Sequence, residues 1–314
     1  MFTFVKIYSS LKFYSNGKLL ITSEYLVLDG AKAFALPTKY GQYLEVETQN
    51  NNHNILFWES FDNKNNCWFK ADFDLKDFNF SNATDKEIAK TLQLVLTKAR
   101  ALNPIFLKSE QSINVKTTLT FDRNWGLGSS STLINNIAKW AKIDAYKLQF
   151  NTFGGSAYDI ACANNNTPII YSLSNKNPKV EPVKFDPSFK DNLFFVYLNR
   201  KQNSRNAIDN YKKNTESKSE IIKNLNEITT NLIKSKSLSE FEFLLKNHEN
   251  ILSKILKTET VQSKYFKDYF GQIKSLGAWG GDFILVTGNE KTPNYFKEKG
   301  FETVISYKNM ILNS

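Results

Sequence analysis

Residues 125–132, which read WGLGSSST, place two glycines and four hydroxyl side chains between an expected strand and an expected helix. Upstream, apolar and polar residues alternate over residues 113–119, as in a half-buried strand. Downstream, apolar residues recur every three or four positions over residues 133–141, which predicts a helix that Ser129 or Ser130 can cap. Glycine lets successive N–H groups converge and a helix N-terminus adds donors, so the segment predicts an anion site that suits phosphate. Taken alone, a turn with an N-cap explains it equally well.

Two common nucleotide-binding motifs do not fit this loop. No Walker A pattern occurs, and Gly126 and Gly128 lack the third glycine of a dinucleotide fingerprint. The loop instead resembles the second motif of the GHMP small-molecule kinases, which act on galactose, homoserine, mevalonate and phosphomevalonate. In that family a Gly-Leu-Gly-Ser-Ser loop wraps the phosphates of ATP. The resemblance therefore implies a set of phosphate-binding residues: Gly126, Leu127, Gly128, Ser129, Ser130 and Ser131.

Residues 16–30, NGKLLITSEYLVLDG, resemble the opening motif of the same family, which runs from Pro-Gly-Lys to Gly-Glu-Tyr. Asn16 stands for the proline and Ser23 for the glycine. From the residues alone, Lys18 is either a cation held by a turn near a phosphate or a reacting hydroxyl, or a solvated lysine at a strand end. Glu24 is likewise an ordinary surface carboxylate or a ligand residue. The resemblance implies a catalytic role for Lys18 and a substrate-site role for Glu24.

Residues 275–286, SLGAWGGDFILV, carry three glycines in five positions before an apolar strand. A plain turn needs one or two glycines, so the third suggests a close backbone approach to a ligand or to the first glycine loop. The segment resembles the third GHMP motif, which implies that Gly277, Gly280 and Gly281 contribute to the ATP site. Trp279 departs from the small residue usual there, and the Gly-Gly-Asp ending is nearer to phosphomevalonate kinases.

Residues 154–163, GGSAYDIACA, resemble a stretch of phosphomevalonate kinases that contains the catalytic aspartate. Asp159 is therefore the expected group that orients or deprotonates an acceptor hydroxyl, with helix capping as the alternative. Mevalonate kinases hold magnesium with a glutamate about 11 residues earlier, where this chain has Leu148. Mg²⁺ would then depend on phosphate oxygens and the hydroxyl of Ser130, with Glu24 or Asp159 left open as ligands.

The segment after the expected strand at residues 193–198 reads NRKQNSR and holds three cations. It resembles the loop with which phosphomevalonate kinases hold their phosphorylated substrate, which implies substrate contacts for Ser204 and Arg205. A basic loop that solvates a helix start is the alternative.

The numbers of cysteine, histidine and charged residues argue against several other classes of function. With two cysteines the chain has no disulfide framework, and with two histidines we expect neither a zinc cluster nor a Ser-His-Asp triad. The net charge of +10 suits anionic ligands, but the lysines are dispersed among asparagine runs, so no nucleic-acid partner is expected. Lys6 and Lys12 interrupt the N-terminal apolar residues and no apolar run is long enough to cross a bilayer, which predicts a cytoplasmic protein without a membrane partner. A homodimer is left open.

The order of the expected elements predicts an α+β fold. We expect strands at residues 43–47, 55–59, 113–119, 168–173, 193–198, 283–287 and 303–306, and helices at 84–102, after 159, and at 220–233, 238–256 and 295–299. A proline-containing connection at residues 174–187 predicts domains 1–180 and 181–314. The resemblance implies an N-terminal domain like domain 2 of ribosomal protein S5 and a ferredoxin-like C-terminal domain, with ATP between them.

These motifs together predict an ATP- and Mg²⁺-dependent kinase of the GHMP superfamily that acts on a phosphorylated or carboxylated small molecule, phosphomevalonate or mevalonate foremost. A different acceptor, such as a sugar or an amino-acid alcohol, is the first alternative. A non-catalytic, nucleotide-binding regulatory homologue is the second, and an RNA-binding protein with the S5-like fold is the third.

Overall fold

The computed structural model describes residues 10–49, 53–200, 211, 218–277, 279 and 281–312. It confirms the α+β class. The chain forms two compact units, each assembled from three stretches of sequence, whereas the sequence analysis placed a single boundary near residue 180. The first unit contains described residues of 1–16, 40–123 and 128–164, and the second those of 17–39, 124–127 and 165–314.

The first unit is a sheet covered by helices. Its strands are ordered β5-β4-β3-β6-β2, with β3 and β6 parallel and the other neighbours antiparallel. The strands are β1 (Ser10–Leu20), β2 (Ala33–Thr48), β3 (Ile55–Phe61), β4 (Cys67–Asp74), β5 (Phe80–Ser81) and β6 (Ile113–Leu119). β1 pairs with β2, and both strands continue into the second unit.

Four helices of the first unit pack on one another: α1 (Lys86–Leu102), α2 (Ser129–Ala141), α3 (Ala145–Thr152) and α4 (Tyr158–Asn164). Every second residue of β6 is buried, as the alternating sequence predicted. Helix α1 begins two residues later than expected, because Asp85 caps it and accepts hydrogen bonds from the amides of Glu87 and Ile88. The core between sheet and helices includes Trp58, Phe73, Leu96 and Ile137.

The second unit contains a four-stranded antiparallel sheet in the order β10-β11-β9-β12. Its members are β9 (Leu193–Tyr197), β10 (Ile273–Ser275), β11 (Phe283–Thr287) and β12 (Val304–Ser306). The first residues of β2 also pair here with β7 (Ile169–Ser174), which pairs with β8 (Asn177–Pro182). All five residues of β11 are buried, which fits its uninterrupted apolar sequence.

The helices of the second unit are α5 (Ser219–Lys234), α6 (Leu238–Leu256), α7 (Val261–Tyr265), α8 (Thr292–Glu298) and α9 (Tyr307–Met310). Helix α6 packs on α5 and on β10. After α9 the chain returns to β2, where the amide of Leu312 donates to the carbonyl of Pro37 at 3.0 Å. Within the described residues, no helix has the length and apolar character that crossing a membrane requires.

Candidate active site

The glycine loop enters helix α2 through two residues with left-handed backbone. Gly126 has φ 65° and Gly128 has φ 91°, a region that favours glycine. Gly128 occupies the N-cap position without a side-chain capping bond, and the first helical bond runs from the amide of Thr132 to its carbonyl. The expectation that Ser129 or Ser130 caps the helix is therefore wrong, because both lie in the first turn. The amides of such a turn have no partner within the helix, which favours an anion.

The hydroxyls of this first turn fall into two groups. Ser131 is buried and donates to the carbonyl of Gly128 at 2.9 Å, and Thr132 is buried and donates to Gln42 at 2.7 Å. Ser130 is exposed and Ser129 is half-buried. The side chains of Ser131 and Thr132 thus stabilise the loop, whereas Ser130 presents a hydroxyl that a ligand can reach.

Lys18 lies beside the first glycine of the loop. Its ammonium donates to the carbonyl of Gly126 at 2.8 Å, and its backbone amide donates to the carbonyl of Leu127 at 3.0 Å. The residue belongs to strand β1, so the expected turn around Gly17 is wrong: the chain stays extended through residues 16–18. This contact joins the first and second sequence motifs within the second unit.

The third motif reaches the same glycine through Asp282. A Cβ atom on Gly126 would overlap the Asp282 carboxylate, so only glycine fits there. Asp282 is held by two backbone bonds: its amide donates to the carbonyl of Arg200 at 2.6 Å, and its carbonyl accepts from the amide of Leu198 at 2.8 Å. Asp282 was not among the site residues predicted from the sequence, although the Gly-Gly-Asp ending of the third motif contains it.

The remaining predicted residues of the third motif and of the basic segment are only partly described. Gly277 has φ 61°, and Gly281 is buried. The structure places Arg200 at the start of the basic segment, where its guanidinium donates to the hydroxyl of Tyr265 at 2.8 Å. Three residues predicted to bind ligand lie outside the described part of the chain: Gly280, Ser204 and Arg205.

Glu24 lies inside the second unit in what we call the buried charge cluster, formed by Glu24, His248, Glu249 and Lys274. All four residues are at most 1% exposed. The Lys274 ammonium pairs with the Glu24 carboxylate and lies 3.1 Å from Glu249 Oε1. Glu249 also accepts a hydrogen bond from the Ser275 hydroxyl at 3.0 Å. The three charges therefore join the first motif to α6 and β10.

The electrostatics of the cluster follow from burial and pairing. Burial raises the pKa of Glu24 to about 7, although the charge of Lys274 opposes the shift. Burial also raises the pKa of Glu249. Burial alone would lower the pKa of Lys274, but the two carboxylates outweigh it and raise that pKa above its ordinary value. Lys274 is therefore the permanent cation of the cluster.

His248 is neutral and holds the backbone of the first motif. Its Nε2 accepts a hydrogen bond from the amide of Ser23 at 2.8 Å, so this nitrogen carries no proton and its 3.8 Å approach to Glu24 is not an ion pair. Burial, followed by the charge of Lys274, lowers the pKa of His248 well below its ordinary value. Ser23 has φ 63°, which explains why glycine is usual at this position of the motif.

Trp279 points inward from the third motif. The residue is 7% exposed, has φ 47°, and its ring centroid lies 5.9 Å from the Lys274 ammonium. Its indole N–H has no hydrogen-bond partner among the described residues. The bulky side chain is thus accommodated by the buried charge cluster.

Asp159 belongs to the first unit, in the first turn of α4. It is half-buried and accepts a hydrogen bond from the amide of Ile160 at 3.1 Å, so it does not occupy the N-cap position. Gly154 and Gly155, just before this helix, have φ 66° and 81° with open space at their Cβ positions. Tyr146 is close by: its pKa is raised to about 12, mainly by burial and in smaller part by Cys162, Asp144 and Asp159.

The predicted residues thus fall into three sets. In the second unit, Lys18 contacts Gly126 and Leu127, Gly126 packs against Asp282, and Glu24 lies in the buried charge cluster. In the first unit, Gly128 and the serines open helix α2, and Asp159 opens α4. Among the residues that the structure describes, no three histidine, cysteine, aspartate or glutamate side chains are grouped as a metal site.

Several solved structures that share this fold are kinases. The mevalonate kinase of Methanococcus jannaschii matches with a TM-score of 0.71 at 15% identity, covering 98% of this chain and 99% of that one. The phosphomevalonate kinase of Streptococcus pneumoniae, solved with phosphomevalonate and AMPPNP, gives 0.67 at 14% identity, covering 97% and 98%. The galactokinase of Lactococcus lactis, solved with galactose, gives 0.68 at 11% identity, covering 98% and 94%. No family model and no curated protein matches the sequence.

The matched proteins share an α+β fold over nearly the whole chain. This chain has the fold of the GHMP small-molecule kinases, which confirms the fold that its motifs predicted. The three structures act on different acceptors with nearly equal TM-scores, so the choice among acceptors depends on individual residues.

Proposed function

We propose that this protein transfers the γ-phosphoryl group of ATP to a small-molecule acceptor, phosphomevalonate or mevalonate. The observation that carries the proposal is the contact of the Lys18 ammonium with Gly126, at the loop that leads into the N-terminus of α2. A cation at a glycine loop that leads into a helix N-terminus suits phosphoryl groups. We place its site of action in the cytoplasm.

Most of the predicted residues have a role in this proposal. The backbone amides of residues 126–131 and the hydroxyl of Ser130 hold the phosphates, and Gly277, Gly280 and Gly281 of the third motif contribute to the same ATP site. Lys18 stabilises the charge of the transferring phosphoryl group. Asp159 orients the acceptor hydroxyl and takes its proton. Positioning and charge stabilisation account for most of the rate enhancement in such transfers.

Mg²⁺ fits the donor set that the chain presents. The exposed hydroxyl of Ser130 is a hard oxygen ligand at the loop, and Mg²⁺ commonly binds through few protein ligands plus phosphate oxygens and water. Leu148, which stands where mevalonate kinases have a glutamate, is fully buried and cannot take that part. When bound, Mg²⁺ would neutralise phosphate charge.

The acceptor is the least constrained part of the proposal. The Gly-Gly-Asp ending of the third motif and the basic segment after β9 favour a phosphorylated acid. The similarity to a galactokinase favours a sugar as the second candidate. A regulatory homologue without turnover is the third.

The deciding experiment is ADP release with ATP and Mg²⁺, offered in parallel with phosphomevalonate, mevalonate, galactose and homoserine. We expect turnover with one acceptor and its loss in Asp159→Asn. Asp77→Asn is the matched control, because Asp77 is an exposed aspartate of the same unit whose carboxylate accepts hydrogen bonds from the backbone and side-chain amides of Asn79. ATP binding without turnover on any acceptor would contradict the assignment to the mevalonate branch, and equal turnover in Asp159→Asn would remove the proposed role of Asp159.

A further inference from the structure

We propose that Lys274 is a positioning residue, which fixes the third-motif loop, described at Gly277, Trp279, Gly281 and Asp282, to the first-motif turn at Glu24 and so shapes the ATP site. The inference rests on the proposed function. In this role Lys274, Glu249 and Glu24 fix the positions of the first-motif turn and the third-motif loop, and none of the three contacts substrate. Glu24 is 1% exposed and its carboxylate pairs with Lys274, which supports this role over direct substrate binding.

Three parts of the chain converge on the Lys274 ammonium. Glu24 comes from the first motif, Glu249 from α6, and Lys274 itself from β10, 250 residues after Glu24. The ammonium also donates to the carbonyl of Ser275, next to it in the strand. Lys274 therefore ties the end of β10, two residues before the loop begins, to a turn far away in sequence.

The energetics argue for a positioning role and against a stabilising one. Desolvation of buried charges offsets most of their attraction, so apolar residues of similar volume would serve stability as well. What a buried ionic cluster supplies is one defined arrangement, because any shift leaves a charge without its partner. Here two carboxylates share a single ammonium, so loss of Lys274 would leave two buried negative groups facing each other.

The third-motif loop connects Lys274 to the glycine loop of residues 126–128 through two contacts. Trp279, inside the third motif, lies with its ring 5.9 Å from the ammonium. At the end of the same loop the Asp282 carboxylate packs against Gly126, whose carbonyl accepts from the Lys18 ammonium. A displaced loop would therefore change the surroundings of both Gly126 and Lys18.

The test measures binding of ATP–Mg²⁺ by calorimetry at 10 °C, together with KM for ATP and kcat. We expect Lys274→Met to weaken ATP binding and raise KM for ATP roughly tenfold, about 1.4 kcal/mol, with a smaller change in kcat. Tyr307→Leu is the control for stability alone, because Tyr307 is a buried residue of the same unit that packs on Phe185 and Phe195 and belongs to neither loop.

A milder variant covers the case in which Lys274→Met does not fold. Glu249→Gln keeps the shape of the side chain and one of its two acceptor oxygens but removes its charge, and Glu249 contacts only Lys274 and Ser275 in the described hydrogen bonds and ion pairs. We expect it to raise KM for ATP several-fold with kcat unchanged. Wild-type ATP affinity in folded Lys274→Met, or in Glu249→Gln where that variant decides, would overturn the positioning role. A wild-type protein that binds no ATP would instead overturn the proposed function.

Discussion

Gly126 is glycine for two separate reasons. Its φ of 65° strains any other residue, and the Asp282 carboxylate fills the space of a Cβ atom. Gly155, with φ 81° and open space at Cβ, has only the first reason. We expect Gly155→Ala to lower the free energy of unfolding by about 1 kcal/mol, and Gly126→Ala to cost more and to abolish tight ATP binding.

Urea unfolding and ATP calorimetry measure both effects. Adding Asp282→Ala to Gly126→Ala removes the overlapping carboxylate, so the double variant should recover part of the lost stability. Equal costs for Gly126→Ala and Gly155→Ala would show that the carboxylate does not restrict Gly126.

Glu24 gives the protein a pH-dependent stability with a defined sign. Burial raises its pKa from 4.5 in the unfolded chain to about 7 in the folded one. The unfolded chain therefore releases the proton first, and the contribution of Glu24 to stability is complete below pH 4.5 and lost as pH rises to about 7. The lowered pKa of His248 has the opposite effect, because its contribution to stability decreases when pH falls and the imidazole must be protonated on unfolding.

Comparison with Glu24→Gln isolates this contribution. From pH 4.5 to pH 7 the free energy of unfolding of the wild type should fall, relative to that of Glu24→Gln, by on the order of 3 kcal/mol. Glu59→Gln, at an exposed position, should follow the wild type. Parallel pH profiles for Glu24→Gln and the wild type would contradict the raised pKa.

Single residues also show what the sequence could and could not predict. Lys18 belongs to the first motif and Gly126 and Leu127 to the second, so two short segments sufficed to select all three residues, whereas their contact with one another was seen only in the structure. The partners of Glu24 could not be found this way, because Lys274 and Glu249 have no local pattern that marks a pairing with it. Such pairings depend on the tertiary fold, and the two histidines gave no indication that one of them holds the Ser23 backbone.

Two adjacent serines in the first turn of helix α2 have different expected roles, one in stability and one in ligand binding. Ser131 donates to the carbonyl of Gly128 and is buried, whereas Ser130 is exposed. We expect Ser131→Ala to lower the free energy of unfolding by about 1 kcal/mol. Ser130→Ala should leave stability within about 0.5 kcal/mol of the wild type and weaken ATP–Mg²⁺ binding. Denaturant titration and calorimetry on both variants test this contrast, and a binding defect confined to Ser131→Ala would reverse the assignment.

The elements that the sequence predicted best have strong periodicity. Strands β6 and β11 and helix α6 have the expected bounds, since alternation, a continuous apolar run and helical spacing each extend over the whole element. Strands β1 and β10 were missed for local reasons. The Asn-Gly pair in β1 is typical of a turn, but pairing with β2 keeps it extended, and β10 has only three residues.

A single boundary in the sequence does not separate the two units, because each unit contains three stretches of the chain. Strands β1 and β2 each supply residues to both units, and the glycine loop lies where the chain passes from the second unit to the first, between Leu127 and Gly128. Composition along the chain could not indicate this, because two of the crossings, after Asn16 and after Lys39, lie inside strands β1 and β2 and not in a connecting segment. The proline-containing segment at residues 174–187 indicated a connection between elements. It could not show that the earlier residues 17–39 and 124–127 belong to the same unit as the residues after it.

The net charge of +10 leads to a test of the acceptor class. A positive protein attracts anions over a distance set by the Debye length, which falls from about 30 Å at 0.01 M salt to about 8 Å at 0.15 M. If the acceptor is phosphomevalonate, kcat/KM for that acceptor should fall several-fold across this range at saturating ATP. A singly charged acceptor such as mevalonate should show a weaker dependence, and a neutral sugar almost none. Because kcat at saturating acceptor does not include the encounter, it serves as the internal control and should stay constant. A phosphorylated acceptor whose kcat/KM does not change with salt would show that the excess of lysine plays no part in its capture.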